Sequence, residues 1–239
     1  MKTLYLSLPE ASPDCSVTGG NALPFVLWDV VDQPLLHHWF DYAIDEGYER
    51  VAVACPQAIR SIIESALADA TLWPIDIGLC DEVPVEAADW HPVDRLPTDP
   101  LEESIGLTSV EDMLSRHAEL SRRRLNYVWT HLQPRYPFLV QGQGAYIHPD
   151  AVLIEPYWIG DRAEIDAGAQ VGPFAVVGRG VRVRAGVRLD DTHIGEGADL
   201  AEGLTFDGHT IARGLVFNHR KRLLHRSIDP TLVRFRKVL

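Results

Sequence analysis

Eight aliphatic residues fall on one six-residue beat: Ile147, Leu153, Ile159, Ile165, Val171, Val177, Val183 and Leu189. Four positions after the beat a compact residue stands in most cases (Ala151, Ala163, Ala169, Ala175, Val181, Val187), Tyr157 being an exception. Gly160, Gly172 and Gly178 follow the beat directly, where a tight turn favours glycine. A helix repeats every 3.6 residues and an ordinary strand every 2, so a strict period of six implies short flat strands joined by corners. Three such hexads close one triangular coil. The beat residue points into a narrow prism, and the residue four on must be small because it sits near a corner. The pattern predicts a left-handed parallel β-helix, in which each strand is too short to accumulate the twist that makes crossovers right-handed. The beat slips by one and resumes at Ile194, Leu200 and Phe206, giving about 3.7 coils at three hexads per coil.

The chain has 239 residues, enough for one large or two modest domains with a real core. Cys15, Cys55 and Cys80 are scattered without a CxxC pair, which argues against a disulfide framework or zinc knuckle and suits a reducing cytoplasm. Neither the N-terminal stretch nor any later run has the apolar length of a signal sequence or a membrane span, so a soluble cytoplasmic protein is expected. The net charge of −12 is unevenly placed. Residues 1–112 hold four basic against 21 acidic residues, whereas residues 213–239 hold eight Lys or Arg against Asp229 alone. An acidic body disfavours nucleic acid as a partner. The basic tail has two readings: phosphate binding, or docking on an acidic surface of its own or a neighbouring chain.

Residues 3–8 read as a first strand and 9–24 as a polar, turn-rich segment containing Gly19-Gly20-Asn21. Residues 24–32 run extended. From Pro34, the apolar series Leu35, Leu36, Trp39, Phe40, Ala43 and Ile44 has helical spacing, with Gly47 as the stop. Residues 51–55 form a buried strand, a second helix starts near Pro56, and 73–79 form a third strand. Strand, helix, strand, helix, strand describes one half of a doubly wound parallel sheet, a partial Rossmann-like α/β unit. The acidic, proline-rich stretch 81–104 is expected to have little regular structure. Thr108-Ser109 followed by acids opens a helix that carries Met113, Leu114 and Leu120. After the prism, 214–226 read as a closing strand and 229–239 as a short cap over the open end. The organisation expected is therefore an α/β domain over 1–80, a connector with helices over 81–140, the β-helix over 141–217 and a basic cap over 218–239.

An α/β unit, a connecting helix and a C-terminal hexapeptide prism together resemble the sugar-phosphate nucleotidyltransferases that activate hexose 1-phosphates. Asp32-Gln33-Pro34-Leu35-Leu36, Glu46-Gly47-Tyr48-Glu49-Arg50-Val51, the segment 67–79 and the helix 109–120 are similar to that family's counterparts. The departures bear on activity. The family's first strand leads into a glycine-rich loop with a phosphate-gripping arginine. Here Gly19, Gly20 and Asn21 remain as candidate nucleotide-binding residues, with no Arg or Lys between Lys2 and Arg50. The family's lysine before Pro34 is Gln33. Triphosphate chemistry without cations leaves its negative charge unneutralised. The resemblance thus implies a truncated nucleotidyltransferase-like protein of sugar-nucleotide or cell-surface polysaccharide biosynthesis, without nucleotidyl transfer of its own. Its ligand would be a nucleotide, a nucleotide sugar or a sugar phosphate.

The prism also resembles hexapeptide-repeat acyltransferases, through 147–151 and 171–178. Those enzymes bind coenzyme A between neighbouring prisms and use a histidine as general base, for which imidazole has the appropriate basicity. That resemblance implies His193 or His209 as the base, with Asp191 orienting one of them. The family's usual histidine position, four residues before an Ile-Gly pair, holds Asp190 instead. A third reading is a non-catalytic interaction scaffold. By family resemblance the protein is expected to be a homo-oligomer, a trimer.

Overall fold

A computed structural model describes residues 2–9, 24–68, 73–97, 107, 109–212, 214–226 and 229–235. The chain divides into two compact units, Met1–Met113 and Leu114–Leu239.

In the first unit, four strands form one parallel sheet in the order Asp76–Cys80, Arg50–Ala54, Thr3–Ser7, Trp90–Pro92. Leu4, Leu6, Val51 and Val53 are buried completely. Helix α1 (Leu35–Asp45) starts directly after Pro34, whose φ of −54° suits the entry to a helix. It stops at Gly47, which takes φ +70°, and the Tyr48 amide closes back on the Ala43 carbonyl at 2.8 Å. Helix α2 (Arg60–Leu67) buries Ile63.

Two expectations are refined. Residues 24–32 are not simply extended: Phe25–Leu27 makes a 3-10 turn, and Asp29–Val30 pairs antiparallel with Gln33–Pro34. In the stretch 81–104, expected to have little regular structure, the described residues include one short strand, Trp90–Pro92, beside Thr3–Ser7. There the Tyr5 amide donates to the Asp89 carbonyl at 2.9 Å and the Val93 amide to the Ser7 carbonyl at 3.0 Å. A three-residue strand carries too little apolar alternation to announce itself, but buried backbone groups on the flank of Thr3–Ser7 require partners.

Helix α3 (Val110–Tyr127) is capped by Ser109, whose hydroxyl accepts the Asp112 amide at 3.0 Å, with Glu111 and Asp112 in its first turn. It runs on into a π-helical turn, Val128–Leu132.

The second unit contains a parallel β-helix of twelve short strands, from Tyr146–Ile147 to His209–Ala212, arranged in three faces. The beat residues stack in three columns: Ile147, Ile165, Val183, Leu200; Leu153, Val171, Leu189, Phe206; and Ile159, Val177, Ile194, Ile211. All are buried except Ile147, Leu153 and Phe206, which are partly covered. Neighbours in a column are 18 residues apart up to Val177→Ile194, where the spacing becomes 17. The slip in the beat is one residue deleted from the corner at 190–192, and a second is deleted from the matching corner between Phe206 and Ile211, because Ile194→Ile211 is again 17. Asp191 absorbs the first with φ +46°, and the Thr192 hydroxyl donates to the Asp190 carbonyl at 2.6 Å.

Tyr157 breaks the small-residue rule because it lies in the first coil, where Trp129 packs against its ring at 5.0 Å and donates its indole N–H to the Tyr157 carbonyl at 2.7 Å. The glycine expectation holds for a different reason than turn conformation at two of three positions. Only Gly172 has positive φ, +101°. Gly160 and Gly178 belong to a corner where the backbones of successive coils touch, and a Cβ on either would lie 2.8 Å from backbone of the next coil.

The end of the β-helix is closed by chain reversal. Leu215–Asn218 pairs antiparallel with His209–Ala212, Leu223–His225 pairs antiparallel with Leu215–Asn218 in turn, and Val233–Phe235 pairs antiparallel with Ala198–Leu200. Antiparallel pairing ends the parallel ladder and covers its edge. Residues 236–239 lie outside the described part.

Because the corner has no room for a methyl group, Gly178→Ala is expected to destabilise the protein by roughly 1–3 kcal/mol, the usual cost of overpacking. Urea denaturation checks it; an unchanged midpoint would show that the coils can separate without penalty.

Candidate functional site

The two candidate histidines of the second unit, His193 and His209, lie on one face of the β-helix, built from Tyr157–Ile159, Ala175–Val177, His193–Ile194 and His209–Ala212. Alternation along each short strand turns Ile194 into the prism, so His193 points out. Its register neighbours are Val176 and Thr210, both buried.

Helix α3 and its continuation run along this face, meeting successive coils. Trp129 touches Tyr157 in the first coil, the Arg122 guanidinium lies 5.0 Å over Phe174 in the second, and His117 meets His193 in the third. The two imidazoles are edge to face, 4.5 Å between centroids and 81° apart in plane. The Nδ1 of His193 is sealed from solvent without a hydrogen-bond partner among the described residues. Burial pushes its basicity well below the ordinary imidazole range, and repulsion from His117 and His219 adds to the effect.

His219 arrives from the antiparallel hairpin. Its Nε2 is hydrogen-bonded to the Thr210 hydroxyl at 3.1 Å and its ring meets Phe217 edge-on at 5.1 Å. Its pKa is pushed down to about 4, chiefly by burial; Asp191 works in the opposite direction.

His209 opens the last strand of the face. Its Nδ1 accepts the Asp207 amide at 3.1 Å and its Nε2 lies 3.0 Å from the Asn218 side-chain amide, whose Oδ1 accepts the Lys221 amide at 2.8 Å. Burial lowers its basicity as well. Asp191 sits at the shortened corner, where Arg122 grips it from α3: Nε donates to Oδ1 at 3.1 Å and Nη2 contacts Oδ2. The hydrogen bonds described for this carboxylate go to Arg122, and its influence on the histidines is through space. Asp190 stands in register with Asp207, and both burial and the like charges of Asp207 and Asp191 raise its pKa.

The structure therefore gathers His193 and Asp191 under α3 and places His209 at the start of the neighbouring strand. Gly19, Gly20 and Asn21 lie outside the described residues. Sequence reasoning missed His117 and His219. His117 was within reach, since with Leu114, Leu120 and Ser121 it follows the helical spacing of a buried face. His219 was not, because only the tight reversal after Ala212 brings it back to Thr210. Arg95 was missed too: it forms a buried pair with Asp94 at 2.9 Å, and its carbonyl accepts the Trp39 indole N–H at 2.9 Å. Among the described residues no group of three or more His, Cys, Asp or Glu is arranged to hold a metal ion. Nor is any helix long and apolar enough to cross a membrane.

A family model described as bacterial transferase hexapeptide (six repeats) matches residues 156–191, which include the shortened corner at Asp191. No curated protein matches the chain.

Arg122 is about half exposed, so its pairing with Asp191 is solvent-screened. A double-mutant cycle of Arg122→Ala and Asp191→Asn is expected to give a coupling of about 0.2–1 kcal/mol in stability. Asparagine is chosen because it tolerates positive φ. A coupling several times larger would mean the pair is the main attachment of α3.

Proposed function

We propose that this chain is a nucleotidyltransferase-like hexapeptide-repeat protein of sugar-nucleotide or cell-surface polysaccharide biosynthesis, which binds a nucleotide or sugar phosphate without transferring a nucleotidyl group. The observation that carries the reading is the company kept by Gln33. Its side-chain amide donates to the Asp41 carboxylate at 2.6 Å and stands 3.2 Å from His38 Nδ1. Asp41 in turn accepts the Trp73 indole N–H at 3.1 Å. The position where the resembling enzymes carry a phosphate-neutralising lysine is thus a neutral side chain tied into its own helix. Support for ligand binding comes from the sheet order, in which strands run outward in both directions from Thr3–Ser7. In open parallel sheets such a reversal point, at the carboxyl ends of the strands, is where ligands dock. The hexapeptide repeat of the second unit agrees with the coarser assignment to a transferase-type repeat protein. A left-handed coil, a homotrimer and a cytoplasmic location belong to the same proposal.

The second reading, favoured by the transferase hexapeptide match, is coenzyme A-dependent acyl transfer to a sugar with His193 or His209 as base and Asp191 nearby. A base of depressed basicity is neutral at pH 7 and so able to accept a proton, though with less driving force than an imidazole near its ordinary value.

Thermal unfolding with nucleoside triphosphates, nucleotide sugars, hexose 1-phosphates and acetyl-coenzyme A separates the two. A ligand at about 100 times its Kd stabilises by roughly 2.7 kcal/mol and raises the Tm by several degrees. The expected outcome is a shift with a nucleotide or sugar phosphate and no release of pyrophosphate on mixing triphosphate with sugar phosphate. A shift with acetyl-coenzyme A alone, with turnover abolished by His209→Ala or His193→Ala, would replace the first reading by the second. Silence across the panel would leave the scaffold.

A further inference from the structure

Three elements meet above the last two coils: α3, the strands containing His193 and Thr210, and the hairpin Leu215–His225. Each of the three contributes a histidine. His117 from α3 packs edge-on against His193 at 4.5 Å, and His219 from the hairpin bonds Thr210, the register neighbour of His193, at 3.1 Å. His117 and Ser121 on the helix are buried, as is Thr210 beneath them. The Nδ1 atoms of His193 and His219 and the Ser121 hydroxyl are enclosed without a hydrogen-bond partner among the described residues.

We propose that His117, His193 and His219 form an acid-sensitive clasp that seats α3 and the Leu215–His225 hairpin on one face of the β-helix at neutral pH and releases them in acid. The seam is built for neutral rings. A proton on His193 puts a buried positive charge beside the His117 and His219 imidazoles, and burial of a charge is costly. For His193 no carboxylate offsets the burial, and for His219 the Asp191 carboxylate favours the proton but burial outweighs it. From α3 comes Arg122, itself positive, and it already engages Asp191, the nearest carboxylate of the corner. Asp190 lies beside Asp191, where burial and then the like charges of Asp207 and Asp191 keep its pKa raised. His209 acts both ways on His219: a hydrogen bond with its backbone favours the proton, and its imidazole opposes it.

The direction with pH follows. His193 and His219 bind protons less readily in the closed seam than in an open one, so the open form takes up more protons as the pH falls. Closure is complete above the ordinary imidazole pKa of about 6.5 and weakens as the pH falls from there toward about 4, the value for His219 in the closed seam. Each of these two histidines shifts the equilibrium roughly tenfold between about pH 7.5 and about pH 5.5.

Hydrogen exchange of the full chain, expressed as protection factors to remove the intrinsic pH dependence of amide exchange, tests the clasp. Between these two conditions, protection of the α3 amides after His117 and of the hairpin amides is expected to fall roughly a hundredfold. The amides of the inner coils, Ile165 to Leu189, should hold. His193→Phe and, separately, His219→Phe should each recover about a factor of ten of the loss at the lower pH. Protection of α3 and the hairpin that changes less than about threefold in the parent protein would overturn the proposal. So would an equal loss in the inner coils, which would mean global acid unfolding. If one variant fails to fold, the parent protein and the other variant still decide the matter.

Discussion

Stacking of one coil on the next is the constraint on which the second unit depends. Each strand is two to four residues long and has no stability alone; its amides and carbonyls are satisfied only by its neighbours in the stack. Stacking forces residues 18 apart into direct contact, so each aliphatic column is chosen by its neighbours in the column. Where the backbones come closest, at Gly160 and Gly178, there is no space for a side chain at all. The same constraint explains how the prism ends: Val233–Phe235 and Leu215–Asn218 pair antiparallel, which a further hexad could not continue.

A prism with a filled interior can place chemistry only on its outside. Here the outer surface of one face is used, and α3 covers it. Trp129, Arg122 and His117 each engage a different coil, so one helix ties the stack together along its length. The shortened corner matters for the same reason. Removing one residue after Leu189 places Asp191 in a left-handed conformation where Arg122 can hold it and brings His193 into register with Val176; a second removal after Phe206 brings Thr210 into register with His193. Burial there lowers the basicity of His193 and His219.

The first unit has a different logic. Its strands are parallel and its helices supply the connections, so ligand chemistry would fall at the carboxyl ends of the strands. The network from Gln33 to His38, Asp41 and Trp73 shows an N-terminal helix whose polar groups satisfy one another. That is why the chemistry proposed for this unit is binding and not transfer.

Much of this was legible in the residue order. A period of six has no solution in a helix or in an ordinary sheet, so the inward residues from Ile147 to Phe206 could be read directly, although the eleven hexads counted fall one strand short of the twelve observed. So could α1, with Pro34 at its entry and Gly47 at its end, because these signals are local. Ile211 was not read, since a column of four needs the register of the coil beneath it. Trp90–Pro92 and the antiparallel closures are made by pairing between distant segments, which leaves no periodic trace in three or four residues. The meeting of His117, His193 and His219 lay equally beyond the sequence. It depends on where a helix lies on a face and where a hairpin turns, and those positions are decided by packing over the whole second unit. Sequence alone determined that a prism would form; only the tertiary structure decided which of its outward residues would be buried together, because burial there is a property of the covering elements and not of the strand.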